Sequence, residues 1–160
     1  MANQANTKLI FDSILGEDLT IEECEVLSDI VKHKELAKEE TLFEPGTKDG
    51  MLYILIAGKL DILKDLGGVD GSIHVATAKE GSIIGELSFI DDEPHSMRVM
   101  SRKESSVLFL SREDFETKIN SHPQVVYNVM RSIMRYSHQI QHKMSQENVE
   151  LRRMSQNSYM

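Results

Sequence analysis

Apolar residues along this chain change their spacing twice, near residue 35 and again near residue 111, and each zone predicts its own kind of element. In the first, FDSILGEDLTIEECEVLSDIV (residues 11–31), Ile21, Cys24, Leu27, Ile30 and Val31 fall on one helical stripe. Thr20 followed by Glu23 has the spacing of a capping box, in which each residue satisfies a backbone N–H of the other. The pattern predicts an entry helix with one buried face.

The second zone, residues 35–111, is a series of short apolar runs: TLF, MLYILIA, LDIL, IHVATA, SIIG, RVM and VLFL. Pro45-Gly46, Asp49-Gly50, Gly58, Gly67-Gly68, Asp70-Gly71 and Gly81 separate them as turns. Many short strands so punctuated predict an antiparallel sandwich or barrel. IAGKLDIL reads as a tight hairpin turning at Ala57-Gly58, and DILKDLGGVDGSIHVATA as a second hairpin with a long tip.

The third zone returns to helical spacing. Ser111 caps a short helix in REDFETKI, and Ser121 with Pro123 starts a long one, proline being tolerated in the first turn. Val126, Val129, Ile133, Tyr136 and Ile140 form its stripe, which shifts by a residue through Met144, Leu151 and Met154. One small β domain cannot bury a stripe on about 30 helical residues, so the surplus predicts a homodimer through the C-terminal helix. The alternative is a solvated tail beyond Met144, where SQENVE and SQNSYM turn polar. The expected division is a β domain with its entry helix at residues 1–120 and a dimerisation helix with a polar tail at 121–160.

Composition narrows the classes. The chain has 160 residues, enough for one domain with a real core, and a net charge of −8, which gives no pull towards nucleic acid or an anionic membrane. The single cysteine, Cys24, can form no internal disulfide and reads as a small residue of the first helix. The start MANQANTKLI lacks the pattern of a signal peptide, and no run reaches the roughly 18 apolar residues of a membrane span. The expectation is a cytoplasmic protein.

Two segments carry more specific information. TLFEPGTKDGMLYILIAGKLDIL, with glycines at 46 and 58, and GSIIGELSFIDDEPHSMRV, followed by a long terminal helix, together resemble the cyclic nucleotide-binding domain family. Catabolite activator proteins, kinase regulatory subunits and gated-channel sensors belong to that family, and the resemblance runs from about Phe11 to Met144. It implies a mainly β fold: an eight-stranded antiparallel jelly roll with an N-terminal helix, a short cassette helix and a long C-terminal helix. It also makes the second segment a phosphate-binding cassette, opening at Ile84 and Gly85. Gly85 permits close backbone approach, and the short helix after it presents free N–H groups to an anion. By resemblance Glu86 accepts a hydrogen bond from a ribose 2′-hydroxyl, Leu87 and Ser88 bring backbone amides to the phosphate, and Ser96 adds a hydroxyl and an N–H. Ile140 and Gln141 would lie nearest the base.

His95 departs from the pattern, which asks for arginine after the proline. A guanidinium is permanently charged and forks onto two phosphate oxygens, whereas imidazole is mostly neutral at pH 7. That loss corresponds to about 2–4 kcal/mol, or roughly 30- to 1,000-fold in affinity. Arg98, three residues further along a strand, should face the other way.

Two readings follow. One is a non-catalytic regulatory sensor of a cyclic nucleotide (cAMP or cGMP) or a related small anion, signalling through its C-terminal helix to a protein effector. The other is a ligand-independent interaction module that kept the fold and lost tight binding. DNA binding is not expected, because relatives that bind DNA add a helix-turn-helix after the long helix and this chain ends at Met160. No enzyme signature appears. His138 and His142 share a helix face without carboxylate company, so neither a metal nor a required cofactor is expected.

Overall fold

A computed structural model describes residues 2–158. Helix α1 (Ala2–Phe11), a 3-10 turn (Ile14–Gly16) and α2 (Ile21–Ser28) precede the strands. These are β1 (Lys32–Leu36), β2 (Thr41–Phe43), β3 (Met51–Ala57), β4 (Leu60–Asp65), β5 (Ser72–Ala78) and β6 (Ile83–Ile84). Helix α3 (Glu86–Asp91), β7 (Arg98–Ser101), β8 (Ser105–Ser111), α4 (Arg112–Glu116) and α5 (Pro123–Asn157) complete the chain. The strands make two four-stranded antiparallel sheets, ordered β1-β8-β3-β6 and β2-β7-β4-β5. This is the jelly roll with flanking helices.

The first sheet is buried on both faces, and the two faces belong to different cores. Alternate residues of a strand point opposite ways. Leu52 and Ile54 of β3, Leu108 and Leu110 of β8, and Ile83 of β6 therefore join Ile10, Leu15, Leu27, Phe89 and Phe115 beneath the helices. Tyr53, Leu55, Val107 and Ile84 point between the sheets, where Phe43, Leu60 and Val99 meet them. Double burial is why MLYILIA and VLFL read as continuous apolar runs. β1 is its opposite: four of its five residues are exposed, and it is held by its pairing to β8, so apolar spacing does not reveal it.

Two expectations are corrected. Residues 11–31 are not one helix, because α1 ends at Phe11 and the 3-10 turn intervenes before α2. A β carbon at Gly16 would lie 2.5 Å from the carbonyl oxygens of Ile10 and Phe11, so this glycine lets the turn tuck against α1. The capping box of Thr20 and Glu23 stands at the start of α2, with both hydrogen bonds formed at 3.2 and 2.9 Å. Nor do β3 and β4 form a hairpin; they lie in different sheets, and Gly58 turns the chain from one to the other. Gly58 has φ +102°, and a β carbon there would overlap Ser105. The hairpin of β4 and β5 stands as expected.

Helix α5 has two halves. Val125, Val129 and Ile133 are buried in the helical core. Arg135 clamps the same half to the 3-10 turn region, reaching Asp18 at 2.8 Å and Glu17 at 3.0 Å, and Ser132 donates to Asp18 at 3.2 Å. Beyond Tyr136 residues 137–157 run on for about 30 Å, exposing Ile140, Met144, Leu151 and Met154. Among the described residues no helix is long and apolar enough to cross a membrane.

The two halves should respond differently to truncation of a side chain. Ile133→Ala is expected to lower the unfolding free energy by about 2–5 kcal/mol in urea titrations, through lost burial and an incompletely collapsed cavity. Ile140→Ala should change the unfolding of the monomer by less than about 0.5 kcal/mol.

Candidate functional site

The cassette forms around one glycine. Gly85 stands in the left-handed region at φ +83° and precedes α3. A β carbon there would lie 2.9 Å from the Met51 carbonyl oxygen and 3.3 Å from His95 Cε1, so the absent side chain lets three segments meet. α3 is held down by Phe89, which is buried against Phe115 with ring centroids 5.4 Å apart. Ser88, also buried, accepts a hydrogen bond from the Gly50 N–H at 3.1 Å and so ties α3 to the loop before β3. Asp92, just past α3, pairs with Lys48 at 2.9 Å and Arg112 at 3.2 Å. The hydrogen bond from Lys48, aided by Arg112, holds the Asp92 carboxyl below its ordinary range.

His95 is folded into the cassette. Its N–H donates to the Thr47 carbonyl at 2.8 Å and its own carbonyl accepts from Gly46 at 2.7 Å. The ring stacks on Phe43 at 3.6 Å with 14° between planes, and only 5% of the side chain is exposed. A carboxylate can only accept, so His95 Nε2–H donates to Asp49 Oδ1 at 2.9 Å. The same oxygen accepts the Met51 N–H at 3.0 Å, and Asp49 Oδ2 accepts the Tyr53 hydroxyl at 2.9 Å. Burial first, and then the negative charge of Asp49, push the Tyr53 phenol well above its ordinary range, so it stays a donor.

The residues singled out in the sequence are distributed as follows. Gly85, Ser88 and His95 come together around the loop before β3. Ile84 is buried between the sheets. Glu86 is half-buried at the start of α3, while Leu87 and Ser96 face solvent. Ile140 and Gln141 lie on the exposed half of α5, with no hydrogen bond or ion pair to the cassette among the described residues. Arg98 is engaged elsewhere, 2.9 Å from Glu44 and 3.2 Å from Asp65.

Asp49, Tyr53 and Phe43 were not among those residues. Asp49-Gly50 carries the ordinary signal of a turn, and the Met51 N–H contact to the Asp49 side chain is what an aspartate two residues earlier makes in such turns. Nothing in the local sequence says that the other carboxylate oxygen points inward. The Coulomb consequence is simple. The histidine replacing the expected arginine already faces a carboxylate, and like charges about 4 Å apart near a protein surface repel by about 4 kcal/mol at an effective dielectric of ~20.

Residues 33–122, more than half of the sequence, match the family of the cyclic nucleotide-binding domain, and the chain belongs to that family. It is 25% identical over 124 residues to the cyclic AMP receptor protein of Thermus thermophilus, covering 77% of this chain and 56% of that protein. It is 30% identical over 76 residues to the cAMP-dependent protein kinase regulatory subunit of Aspergillus niger, covering 48% of this chain and 18% of the relative. The chain therefore spans little more than half of one relative and under a fifth of the other. The fold is similar to a cyclic nucleotide-binding domain from Methylobacillus flagellatus, with a TM-score of 0.80 at 20% identity over 89% of this chain and 82% of that one.

The Tyr53 phenol gives a test of this geometry. A group whose pKa is raised on folding supports stability below its unfolded pKa, and that support is lost as pH rises towards the folded value. Stability should therefore fall as pH rises above about 10, and Tyr53→Phe should flatten that fall. At neutral pH the same substitution should cost about 0.5–1.5 kcal/mol through the lost hydrogen bond. Urea titrations at pH 7 and across the alkaline range, with both proteins, check it.

Proposed function

We propose that this chain is a non-catalytic regulatory module that keeps the family's fold but works without a tightly held cyclic nucleotide, acting through α5. One observation carries the reading: among the described residues, the basic side chains around the cassette already face carboxylates. His95 faces Asp49, Lys48 and Arg112 face Asp92, and Arg98 faces Glu44 and Asp65. A phosphodiester would have to take one of these basic groups from its partner or sit beside a bare carboxylate, and both cost binding energy. The sensor reading needs a free charge-assisted donor at the phosphate, so the geometry favours the interaction module.

The output side of the proposal is a parallel homodimer through α5, within a protein of the intracellular regulatory kind. Residues 1–120 form the regulatory β domain and 121–160 the coupling helix and tail. Ile140, Met144, Leu151 and Met154 are exposed at spacings of four, seven and three, a seam suited to a second copy of the helix. An effector would then read the paired helices rather than the cassette.

Thermal melts with cAMP and cGMP test the input side, because a ligand of the native state must raise its melting temperature. The expected result is no shift at millimolar nucleotide, and a saturable shift at micromolar nucleotide restores the sensor reading. For the output side, light scattering at tens of micromolar should give a dimer. Ile140→Lys with Leu151→Lys should give a folded monomer. A wild-type monomer under those conditions sinks the dimer proposal.

A further inference from the structure

We propose that Asp49 is a built-in ligand, its carboxylate filling a small-oxyanion site that the cassette would otherwise present, and that the vacated site takes a small carboxylate. This rests on the reading above that the native cassette holds no cyclic nucleotide tightly. Three donors, two from β3 and one from the segment after α3, converge on this one group. His95 Nε2–H lies at 2.9 Å, the Met51 N–H at 3.0 Å and the Tyr53 hydroxyl at 2.9 Å. Two of them meet Oδ1 and the third meets Oδ2, so both oxygens are gripped as a bound carboxylate would be.

Each donor has an anchor besides Asp49. His95 is fixed by its stack on Phe43 and by backbone bonds to Gly46 and Thr47. Tyr53 and Met51 sit in β3, and the Tyr53 ring packs 5.7 Å from Phe43 and 6.0 Å from Phe109. Removing the carboxylate would therefore leave a preorganised set of donors with nothing to bind, and buried unsatisfied donors are costly. A free carboxylate of the same shape can meet them. The way in is short, since 20% of the Asp49 side chain is exposed while only 5% of His95 is.

Asp49 excludes free anions for two reasons. It is tethered two residues from Met51 and four from Tyr53, so its effective concentration is in the range reached by short linkers, millimolar or above. It also carries the same charge as any competitor. A planar carboxylate fits the two-oxygen grip better than a tetrahedral phosphate.

Chemical rescue tests the proposal. In the full chain, Asp49→Ala should melt below the wild type, and acetate at constant ionic strength should restore about 2–5 °C in a saturable way. The wild type and Asp49→Asn, whose amide refills the space without charge, should respond to acetate no more than to chloride. Asp49→Ser is the second variant, since its hydroxyl can still hold the Met51 N–H if the alanine protein folds poorly. Inorganic phosphate should rescue less than acetate. If acetate, phosphate and chloride act alike on both Asp49→Ala and Asp49→Ser, the built-in ligand is refuted. Failure here is distinct from failure of the functional reading, which is decided by the wild-type protein's response to cAMP and cGMP.

Discussion

The first sheet has to satisfy two cores at once, and the remaining structure is arranged around that demand. β3 and β8 sit in its middle, turning Leu52, Ile54, Leu108 and Leu110 towards the helices and Tyr53, Leu55 and Val107 towards the other sheet. Side-chain direction in a strand has a period of two, so a shift of register by one residue would exchange the two cores. The same alternation places Tyr53 where its ring is buried and its hydroxyl can still reach Asp49. The frame of the barrel and the grip on the cassette loop are one constraint.

Charge placement in the cassette is as closely determined as packing. His95 would be an expensive buried polar group without a partner, and Asp49 supplies one, while the Phe43 stack covers the ring. An arginine placed at 95 alone would still face the Asp49 carboxylate. The histidine and the aspartate therefore form a unit, and neither residue describes the site by itself.

Much of this was readable from the sequence, and the parts that were not share a cause. Apolar spacing located seven of the strand segments, the capping box of Thr20, the cap at Ser111 and the long helix from Pro123, because burial and capping leave local signatures. β1 escaped because its stability comes from a distant partner, β8. The false hairpin at Ala57-Gly58 has the same origin: a glycine turn is equally compatible with returning to the same sheet or crossing to the next, and the choice lies in distant pairings, β3 with β8 and β4 with β7. In the cassette, the departure at His95 could be seen in the sequence, but its partner could not. Asp49 lies 46 positions away and looks like any turn aspartate until the fold brings it 2.9 Å from the imidazole.

Helix α5 has the proportions of a lever. Its fulcrum is the clamp of Arg135 on Glu17 and Asp18, and beyond Tyr136 some 30 Å of mostly exposed helix follows. On an arm of that length, a tilt of about 10° at the clamp moves the far end by about 5 Å. That displacement is roughly the pitch of one helical turn. The carboxylates at 17 and 18, with the buried Val129 and Ile133, hold the helix at the point where it leaves the body.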